Sequence, residues 1–213
     1  SGRCSEVNVV VRKVVEGIYH CIYDLHFEGT ENIPKNGGVI FASNHRSYHD
    51  PVFITMRVPK KFCYMAKEEL FRNKIFGKFI TMLGAFPITR GTGDMAALDN
   101  AIDKVRNGQN LVIFPEGTRS YDGKVGKGKT GVALVAAKAG VDVIPVGICF
   151  EGPKLTFRKK VTIKFGKPIS AEKLHIEGTS SKDLRVIKNT IMDSIRELVE
   201  GPQAQIEEKT NEN

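Results

Sequence analysis

The residues best suited to chemistry form two polar blocks, one from Asn44 to Asp50 and the other from Phe114 to Ser120. Histidine titrates near neutral pH, so His45 can take a proton from a hydroxyl nucleophile and later release it. A helix that begins near Asp50 would let its carboxylate reach one imidazole nitrogen and fix the tautomer. Arg119 in the second block carries the planar fork that suits phosphate. This combination fits acyl transfer to a phosphorylated alcohol.

A covalent acyl-enzyme is not indicated, because the chain contains no Gly-x-Ser-x-Gly elbow. The acceptor's own hydroxyl would then be the nucleophile. His45 and His49 are spaced as in a zinc-binding helix, but Arg46 stands where that motif needs a glutamate. We therefore predict no metal site and treat His49 as a packing or surface residue. Asp50 before Pro51 also fits a helix cap, with Pro51 as the first helical residue.

Four blocks of the sequence together resemble the lysophosphatidic acid acyltransferases (1-acylglycerol-3-phosphate acyltransferases), a family of glycerolipid acyltransferases. They follow the family's order: His45 to Asp50, Gly84 to Gly91, Phe114 to Ser120, and Val143 to Ile148. The resemblance covers most of the chain. It implies transfer of a fatty acyl group from acyl-CoA or acyl-carrier protein to the free sn-2 hydroxyl of 1-acylglycerol-3-phosphate, forming phosphatidic acid. Glycerol-3-phosphate or another lysophospholipid stays open as the acceptor.

The resemblance also implies a catalytic pair and a set of substrate-binding residues. The catalytic pair is His45, the base, and Asp50, which orients it. The substrate-binding set is Glu116, Gly117, Arg119, Arg90 and Lys67. In the family pattern the two arginines hold the phosphate and the Glu-Gly pair shapes the acceptor's glycerol site. Lys67 is included as a weaker third cation because of its position directly after the predicted strand Phe62–Ala66, not because of the resemblance. No cofactor is expected beyond the acyl thioester, which is a co-substrate.

A rival pattern, the P-loop of nucleotide-binding enzymes, is matched letter for letter by Gly123 to Thr130. In a true P-loop the strand leads directly into the first glycine, but here Pro115 to Asp122 intervene. The later strand Val143 to Ile148 also ends without an aspartate to hold magnesium. We therefore predict no nucleotide binding and expect replacement of Lys129 to leave acyl transfer largely unchanged. A P-loop nucleotide enzyme that uses Lys129 stays open as the less favoured alternative.

The elements that must position these residues alternate between apolar strands and amphipathic helices. The predicted strands are Val39–Ala42, Phe62–Ala66, Ala85–Ile88, Leu111–Phe114, Val143–Ile148 and Val161–Phe165. The predicted helices are Val7–Tyr23, Asp94–Arg106, Gly131–Ala139 and Lys182–Val199. The pattern predicts a single α/β domain with a mixed β-sheet covered by helices, preceded by an N-terminal amphipathic helix.

The first segment, residues 1–24, is the amphipathic helix, and its apolar face includes Val14 and Ile18. Charged residues interrupt it too often for a membrane span. We expect it to lie on an anionic membrane surface, together with the apolar stretch Ile75–Phe86, and packing against the core is the alternative. Residues 25–200 form the expected acyltransferase domain, and the polar tail 201–213 is expected to be disordered.

The chain has 213 residues, enough for one domain with a sizeable core, and 32 basic against 24 acidic side chains give a net charge of +8. This charge favours anionic partners: phosphorylated substrates, coenzyme A or acidic lipid surfaces. Nucleic acid is not expected, because the basic run Arg158 to Lys160 has no interleaved aromatic residues and the chain has no tryptophan. A non-enzymatic basic protein that docks on anionic membranes stays open as an alternative.

The cysteines bear on location. They are scattered and contain no Cys-x-x-Cys pair: Cys4, Cys21, Cys63 and Cys149. This usage favours a reducing compartment rather than a disulfide framework. No signal peptide is visible, and an opening Ser-Gly without methionine is compatible with one piece of a longer protein. We expect a membrane-associated enzyme on the cytoplasmic side.

Overall fold

The computed structural model describes residues 9–58, 61–88, 95–174 and 180–201, which form an α/β domain around a seven-stranded sheet. The strands are β1 (Asp24–Glu28), β2 (Ile40–Ser43), β3 (Phe62–Lys67), β4 (Ala85–Ile88), β5 (Asn110–Ile113), β6 (Val143–Cys149) and β7 (Lys160–Phe165). The α-helices are α1 (Val9–Ile22), α2 (Asp50–Thr55), α3 (Lys74–Met82), α4 (Met95–Arg106), α5 (Gly131–Ala139) and α6 (Ser181–Glu200).

The sheet has the strand order β1-β7-β6-β2-β5-β3-β4. In the run β6-β2-β5-β3-β4, all neighbouring strands are parallel. Strand β7 is antiparallel to β6, and β1 pairs with β7 in parallel. Strands β2 and β5 are buried along their whole length, as expected for parallel strands that are covered on both faces. The predicted fold class, a mixed sheet covered by helices, is confirmed.

Helices cover both faces of the sheet. On one face, Phe53 and Ile54 of α2 and Ile80 of α3 join a cluster that includes Phe41. On the other face, side chains of α4, α5 and α6 pack together with β2 and β5. The sheet is therefore sandwiched, and only the ends of its strands and the loops that follow them are open to ligands.

Two elements of the structure, β1 and α3, were not predicted from the sequence. Strand β1 has the sequence DLHFE, whose alternate residues are polar and exposed, and it becomes a strand by pairing with β7 at the edge of the sheet. The apolar stretch Ile75–Phe86 was noted without an element type, and it contains most of helix α3 and the start of β4. The predicted acidic cap Asp94 of α4, Arg90 and the tail beyond residue 201 lie outside the described residues.

Two of the outer helices combine packed and exposed apolar side chains. In α1, whose side chains are described from Arg12 onward, Tyr19 and Ile22 pack on the core while Val14 and Ile18 are exposed. In α3, Ile80 is buried, yet Ile75, Phe76, Phe79 and Met82 stand in solvent. None of the helices in the described part of the chain is both long and apolar enough to cross a membrane.

Candidate active site

The polar blocks found in the sequence meet where parallel strands end. His45 lies just beyond β2, Phe114 and Glu116 lie just beyond β5, and Phe150 follows β6. Because these three strands are parallel neighbours, their carboxyl ends open onto the same edge of the sheet. Ligand sites of open α/β sheets usually lie at this edge.

The imidazole of His45 and the carboxylate of Asp50 form the predicted contact, with 2.8 Å between Nδ1 and Oδ2. Asp50 is completely buried, while the His45 side chain keeps 18% of its surface exposed. The carboxylate accepts, so Nδ1 carries the proton and Nε2 presents a lone pair. This is the tautomer that a general base needs.

The capping prediction for Asp50 needs correction. Helix α2 begins at Asp50 itself, one residue earlier than predicted, and His49 occupies the cap position. The Asp50 carboxylate accepts from the backbone N–H groups of Arg46 at 2.6 Å and Ser47 at 2.7 Å, in the turn before the helix. The carboxylate therefore holds the loop that carries His45 rather than the helix that follows.

Glu116 connects the two sequence blocks. Its Oε1 accepts from the backbone N–H of His45 at 2.9 Å, and its Oε2 accepts from the N–H of Gly126 at 3.0 Å. Burial raises the pKa of the Glu116 carboxyl, while the two N–H donors act in the opposite direction. The carbonyl of His45 in turn accepts from the N–H of Ser120 at 2.8 Å. Both backbone polar groups of the candidate base are thus held by the second block.

Two neighbours of His45 that the sequence did not single out for the site also fix this loop. The Asn44 side chain donates to the carbonyl of Ile148 at 3.0 Å and accepts from its N–H at 2.8 Å, which joins the end of β2 to β6. Arg46 donates to the carbonyls of Phe150 and Gly152 and stacks on the Phe150 ring. Asn44 and Arg46 stand beside His45, directly after an apolar strand, and this position is the sequence feature that could have identified them.

The exposed side of His45 opens into a cavity of about 610 Å³. Phe114 stacks on the imidazole with 4.2 Å between ring centroids. Most of the remaining wall is apolar: Met65, Ile88, Met95, Leu98, Val112, Ile113, Val132, Leu134 and Leu184. Gly117, Lys129 and Thr130 also line it. A base therefore faces a cavity that suits a long hydrocarbon chain.

A second, polar pocket of about 410 Å³ lies on the other side of the Glu116–Gly117 turn and includes Arg119. The Arg119 guanidinium stacks on Tyr48, 3.7 Å from the ring centroid. None of the carboxylates in the described residues forms an ion pair with it. Lys67 is exposed at the end of β3 and lines neither the His45 cavity nor the Arg119 pocket. The structure therefore brings together His45, Asp50, Glu116 and Gly117, with Arg119 in the adjacent pocket.

The P-loop pattern does not form a phosphate cradle. The N–H of Val125 donates to Glu200 at 2.7 Å, that of Gly126 to Glu116, and that of Lys129 to the carbonyl of Pro115 at 2.8 Å. A P-loop needs such N–H groups to point at phosphates. Here they bind the loop to the protein, and they bring Lys129 to the cavity of His45.

The second histidine of the first block is a packing residue, as predicted. His49 lies between the rings of Tyr19, Tyr23 and Phe53, and its Nδ1 forms a hydrogen bond with the Tyr19 hydroxyl at 2.8 Å. Burial lowers the pKa of His49, which favours the neutral ring that can accept this bond. Within the described ranges, no group of three or more His, Cys, Asp or Glu side chains gathers as metal ligands would.

Comparison with known proteins agrees with this geometry. A family model described as Acyltransferase matches residues 24–149. The chain is 34% identical over 182 residues to a 1-acyl-sn-glycerol-3-phosphate acyltransferase of Streptococcus pneumoniae, covering 82% of this chain and 66% of that protein. It is 30% identical to the enzyme of the same name from Bacillus subtilis, covering 79% of this chain and 84% of that protein.

A solved structure also matches. The crystal structure of the 1-acyl-sn-glycerophosphate (LPA) acyltransferase from Thermotoga maritima superimposes with a TM-score of 0.69 at 31% identity, over 89% of this chain and 78% of that chain. Fold and sequence therefore point to one family.

Proposed function

The chain belongs to the 1-acyl-sn-glycerol-3-phosphate acyltransferase family, and from that membership we propose that it transfers a fatty acyl group from an acyl thioester to the free sn-2 hydroxyl of lysophosphatidic acid. The product would be phosphatidic acid, an intermediate of phospholipid synthesis. The observation that carries the proposal is the His45–Asp50 pair at the mouth of an apolar cavity. Glycerol-3-phosphate or another lysophospholipid is the alternative acceptor.

The reaction needs one base and no covalent intermediate. Nε2 of His45 takes the proton of the acceptor hydroxyl while its oxygen adds to the thioester carbon, and the carbonyl oxygen becomes negative. When the carbonyl re-forms, the C–S bond breaks and the imidazolium returns its proton to the leaving thiolate. Asp50 at 2.8 Å stabilises the imidazolium between these two steps.

The apolar cavity beside His45 supports a binding site for a hydrocarbon chain. Burying a fatty acyl group there gains about 0.8 kcal/mol for each CH₂ removed from water. Because Phe114 stacks on the base and also lines the cavity, the carbonyl end of a bound chain would come close to Nε2. Positioning of this kind supplies much of the rate of a two-substrate reaction.

Arg119 is the group that we propose for the acceptor's phosphate, because its fork is unpaired in the described residues and faces a polar pocket. Arg90 and Lys67 remain proposed as further cations for the same phosphate. Glu116 and Gly117 form the turn between the apolar cavity and the polar pocket, so they would border the acceptor's glycerol.

Acyl-CoA or acyl-carrier protein is the proposed donor, and the net charge of +8 supports an anionic co-substrate without distinguishing the two. We propose that the protein acts on an anionic membrane surface, where its lysolipid acceptor resides. The exposed apolar side chains of α3 and the lysines beside them support this association. In the described residues Cys21, Cys63 and Cys149 form no disulfide, which supports the proposed location on the reducing, cytoplasmic side.

The test is the loss of turnover on His45→Ala. Positioned general-base catalysis is worth about 10²- to 10⁴-fold, so kcat for transfer from acyl-CoA to lysophosphatidic acid should fall by that factor. His26→Ala is a matched control, because His26 also pairs with an aspartate, Asp24 at 3.1 Å, but on the exposed edge strand β1. The control should keep the wild-type rate.

Both variants should keep the wild-type circular dichroism and melting temperature to within a few degrees. A folded His45→Ala protein with near-normal rate would contradict the assigned chemistry. A wild-type protein that binds anionic vesicles without acyl transfer to any lysolipid or glycerol-3-phosphate would favour the non-enzymatic membrane-binding alternative.

A further inference from the structure

Lys129, in the loop that imitates a P-loop, lines the same cavity as His45. The failed P-loop match suggested that its replacement would leave acyl transfer unchanged. Its position in the cavity of the candidate base indicates instead that replacement would lower acyl transfer, because a cation there can contact a bound substrate. The argument depends on how the side chain is held and on what could balance its charge.

The backbone around Lys129 is docked onto the turn that also holds His45. The N–H of Lys129 donates to the carbonyl of Pro115 at 2.8 Å, and three residues earlier Gly126 donates to Glu116, whose other oxygen accepts from His45. The buried carboxylate of Glu116 therefore holds both the loop that contains Lys129 and the backbone of His45.

The side chain of Lys129 lies over Gly117. The backbone of Gly117 has a φ of +67°, and a Cβ at this position would stand 3.1 Å from Nζ and 3.2 Å from Cε of Lys129. Glycine at this turn thus satisfies both the left-handed backbone and the approach of the lysine. Since Gly117 also lines the cavity, the ammonium is directed to the part of the wall where the polar turn meets the apolar space.

Among the described residues, the Lys129 ammonium has no charged partner. No carboxylate in the described part of the chain forms an ion pair with Lys129, and none of the described residues that line the cavity is acidic. The Lys129 side chain is exposed, so its ammonium is solvated in the free protein and is accessible to an anion that binds at the cavity. Because no acidic residue in the described part of the chain lines this cavity, an anionic group of a bound substrate would meet an ammonium that has no competing carboxylate there.

We propose that Lys129 is a substrate-contacting residue whose ammonium binds an anionic oxygen of the reacting substrates at the mouth of the His45 cavity. The proposal rests on the proposed acyl transfer. Two oxygens have this chemistry: a phosphate oxygen of the acceptor, and the thioester carbonyl oxygen, which becomes negative when the hydroxyl adds and loses that charge when the C–S bond breaks.

The experiment compares Lys129→Met, Lys129→Arg and the matched control Lys127→Met, whose exposed lysine lies in the same loop but does not line the cavity. Two rates are measured for each: acyl transfer to lysophosphatidic acid, and hydrolysis of the acyl thioester by water, which forms the same oxyanion without an acceptor phosphate. Melting temperatures verify that the variants fold. We expect Lys129→Met to lower transfer by about 10-fold or more, because a charge-assisted bond is lost, and Lys129→Arg to keep part of the rate.

The two rates identify the oxygen. A loss in transfer alone, expressed mainly in KM for lysophosphatidic acid, assigns the ammonium to the phosphate; an equal loss of kcat in transfer and hydrolysis assigns it to the developing oxyanion. Lys127→Met should match the wild type in both. A Lys129→Met enzyme within twofold of Lys127→Met in both reactions overturns the role of Lys129 and leaves the proposed function intact. A wild-type protein that transfers no acyl group overturns both.

Discussion

Asp50 uses one oxygen for three contacts. Oδ2 accepts from the imidazole of His45 and from the N–H groups of Arg46 and Ser47, whereas Oδ1 is buried without a hydrogen-bond partner in the described residues. The three donors come from consecutive residues, so the carboxylate sets the conformation of the loop and the orientation of the ring together. A shift of the Asp50 side chain would therefore move both the loop and the imidazole of the candidate base.

Arg119→Ala should weaken the use of acceptors that carry a phosphate. A charge-assisted hydrogen bond is stronger than a neutral one, so kcat/KM for lysophosphatidic acid should fall about 10- to 100-fold. Arg119→Lys should restore only part of the loss, because an ammonium replaces a planar fork. The measurement is kcat/KM for lysophosphatidic acid and for an uncharged monoacylglycerol.

The uncharged acceptor is the internal control for this substitution. Arg119 also stacks on Tyr48, so its removal changes the packing of the loop as well as the charge. A packing effect would lower kcat/KM for both acceptors to the same extent. Equal losses would show that Arg119 does not bind the phosphate, and Arg90, Lys67 and Lys129 would be the remaining candidates.

At the scale of elements, α3 has an apolar surface that the fold leaves uncovered. Ile75 is 86% exposed and Phe76, Phe79 and Met82 are each close to half exposed, while the buried side of the helix is formed by Gly77 and Ile80. Lys74 and Lys78 flank this surface, and helix α3 itself contains no acidic residue. An apolar face bordered by lysines is the pattern of a helix that lies at an anionic bilayer surface.

Ile75→Glu should therefore weaken binding to vesicles of anionic phospholipid. Burial of one large apolar side chain is worth about 1.5–3 kcal/mol, so the partition coefficient should fall about 10-fold or more. Val186→Glu is the matched control, since Val186 is 59% exposed on α6, on the opposite face of the sheet. Sedimentation with vesicles measures both variants, and equal losses would argue for a nonspecific effect of the added charge.

At the scale of the whole molecule, α1 is attached to the domain by polar contacts that cross a long stretch of sequence. Arg12 donates to the carbonyl of Met56, Glu16 pairs with Arg57, and the Tyr19 hydroxyl forms a hydrogen bond with His49. These contacts join the first helix to the residues that directly precede and follow α2, close to the loop of the candidate base. Helix α1 thus packs on the domain with one side and exposes Val14 and Ile18 on the other.

The contact of Tyr19 in α1 with the domain should make the free energy of unfolding depend on pH in the alkaline range. Burial raises the pKa of Tyr19 from 10.0 to about 12. The raised pKa means that its contribution to stability is complete below pH 10, where the unfolded phenol is still neutral, and is lost as the pH rises towards 12. Tyr19→Phe removes this ionisation and the bond to His49.

The measurement is the free energy of unfolding of the wild type minus that of Tyr19→Phe, from urea titrations at pH 7 to 12. The difference should be constant to about pH 10 and should then fall in favour of the variant. A difference that does not change between pH 10 and 12 would show that the phenol has the same pKa in the folded and unfolded chain.

Much of the fold followed from local pattern, because the period of apolar residues depends on secondary structure alone. Helix α5 and strand β4 have the predicted bounds, Gly131–Ala139 and Ala85–Ile88, since glycine ends the helix and short apolar runs form buried strands. The His45–Asp50 contact was also accessible, because both partners lie in one short turn. The sequence by itself thus determined the layered architecture and the candidate base with its carboxylate.

Only the tertiary structure decided what surrounds that base. Asn44 reaches Ile148, Glu116 joins His45 to Gly126, and Lys129 enters the cavity through contacts between segments far apart in the chain. The same limit applies to β1, whose polar sequence becomes a strand only beside β7. No local periodicity encodes such pairings, because they depend on which strand ends become neighbours in the sheet. Two residues of the segment that matches a P-loop, Lys129 and Thr130, therefore line the His45 cavity.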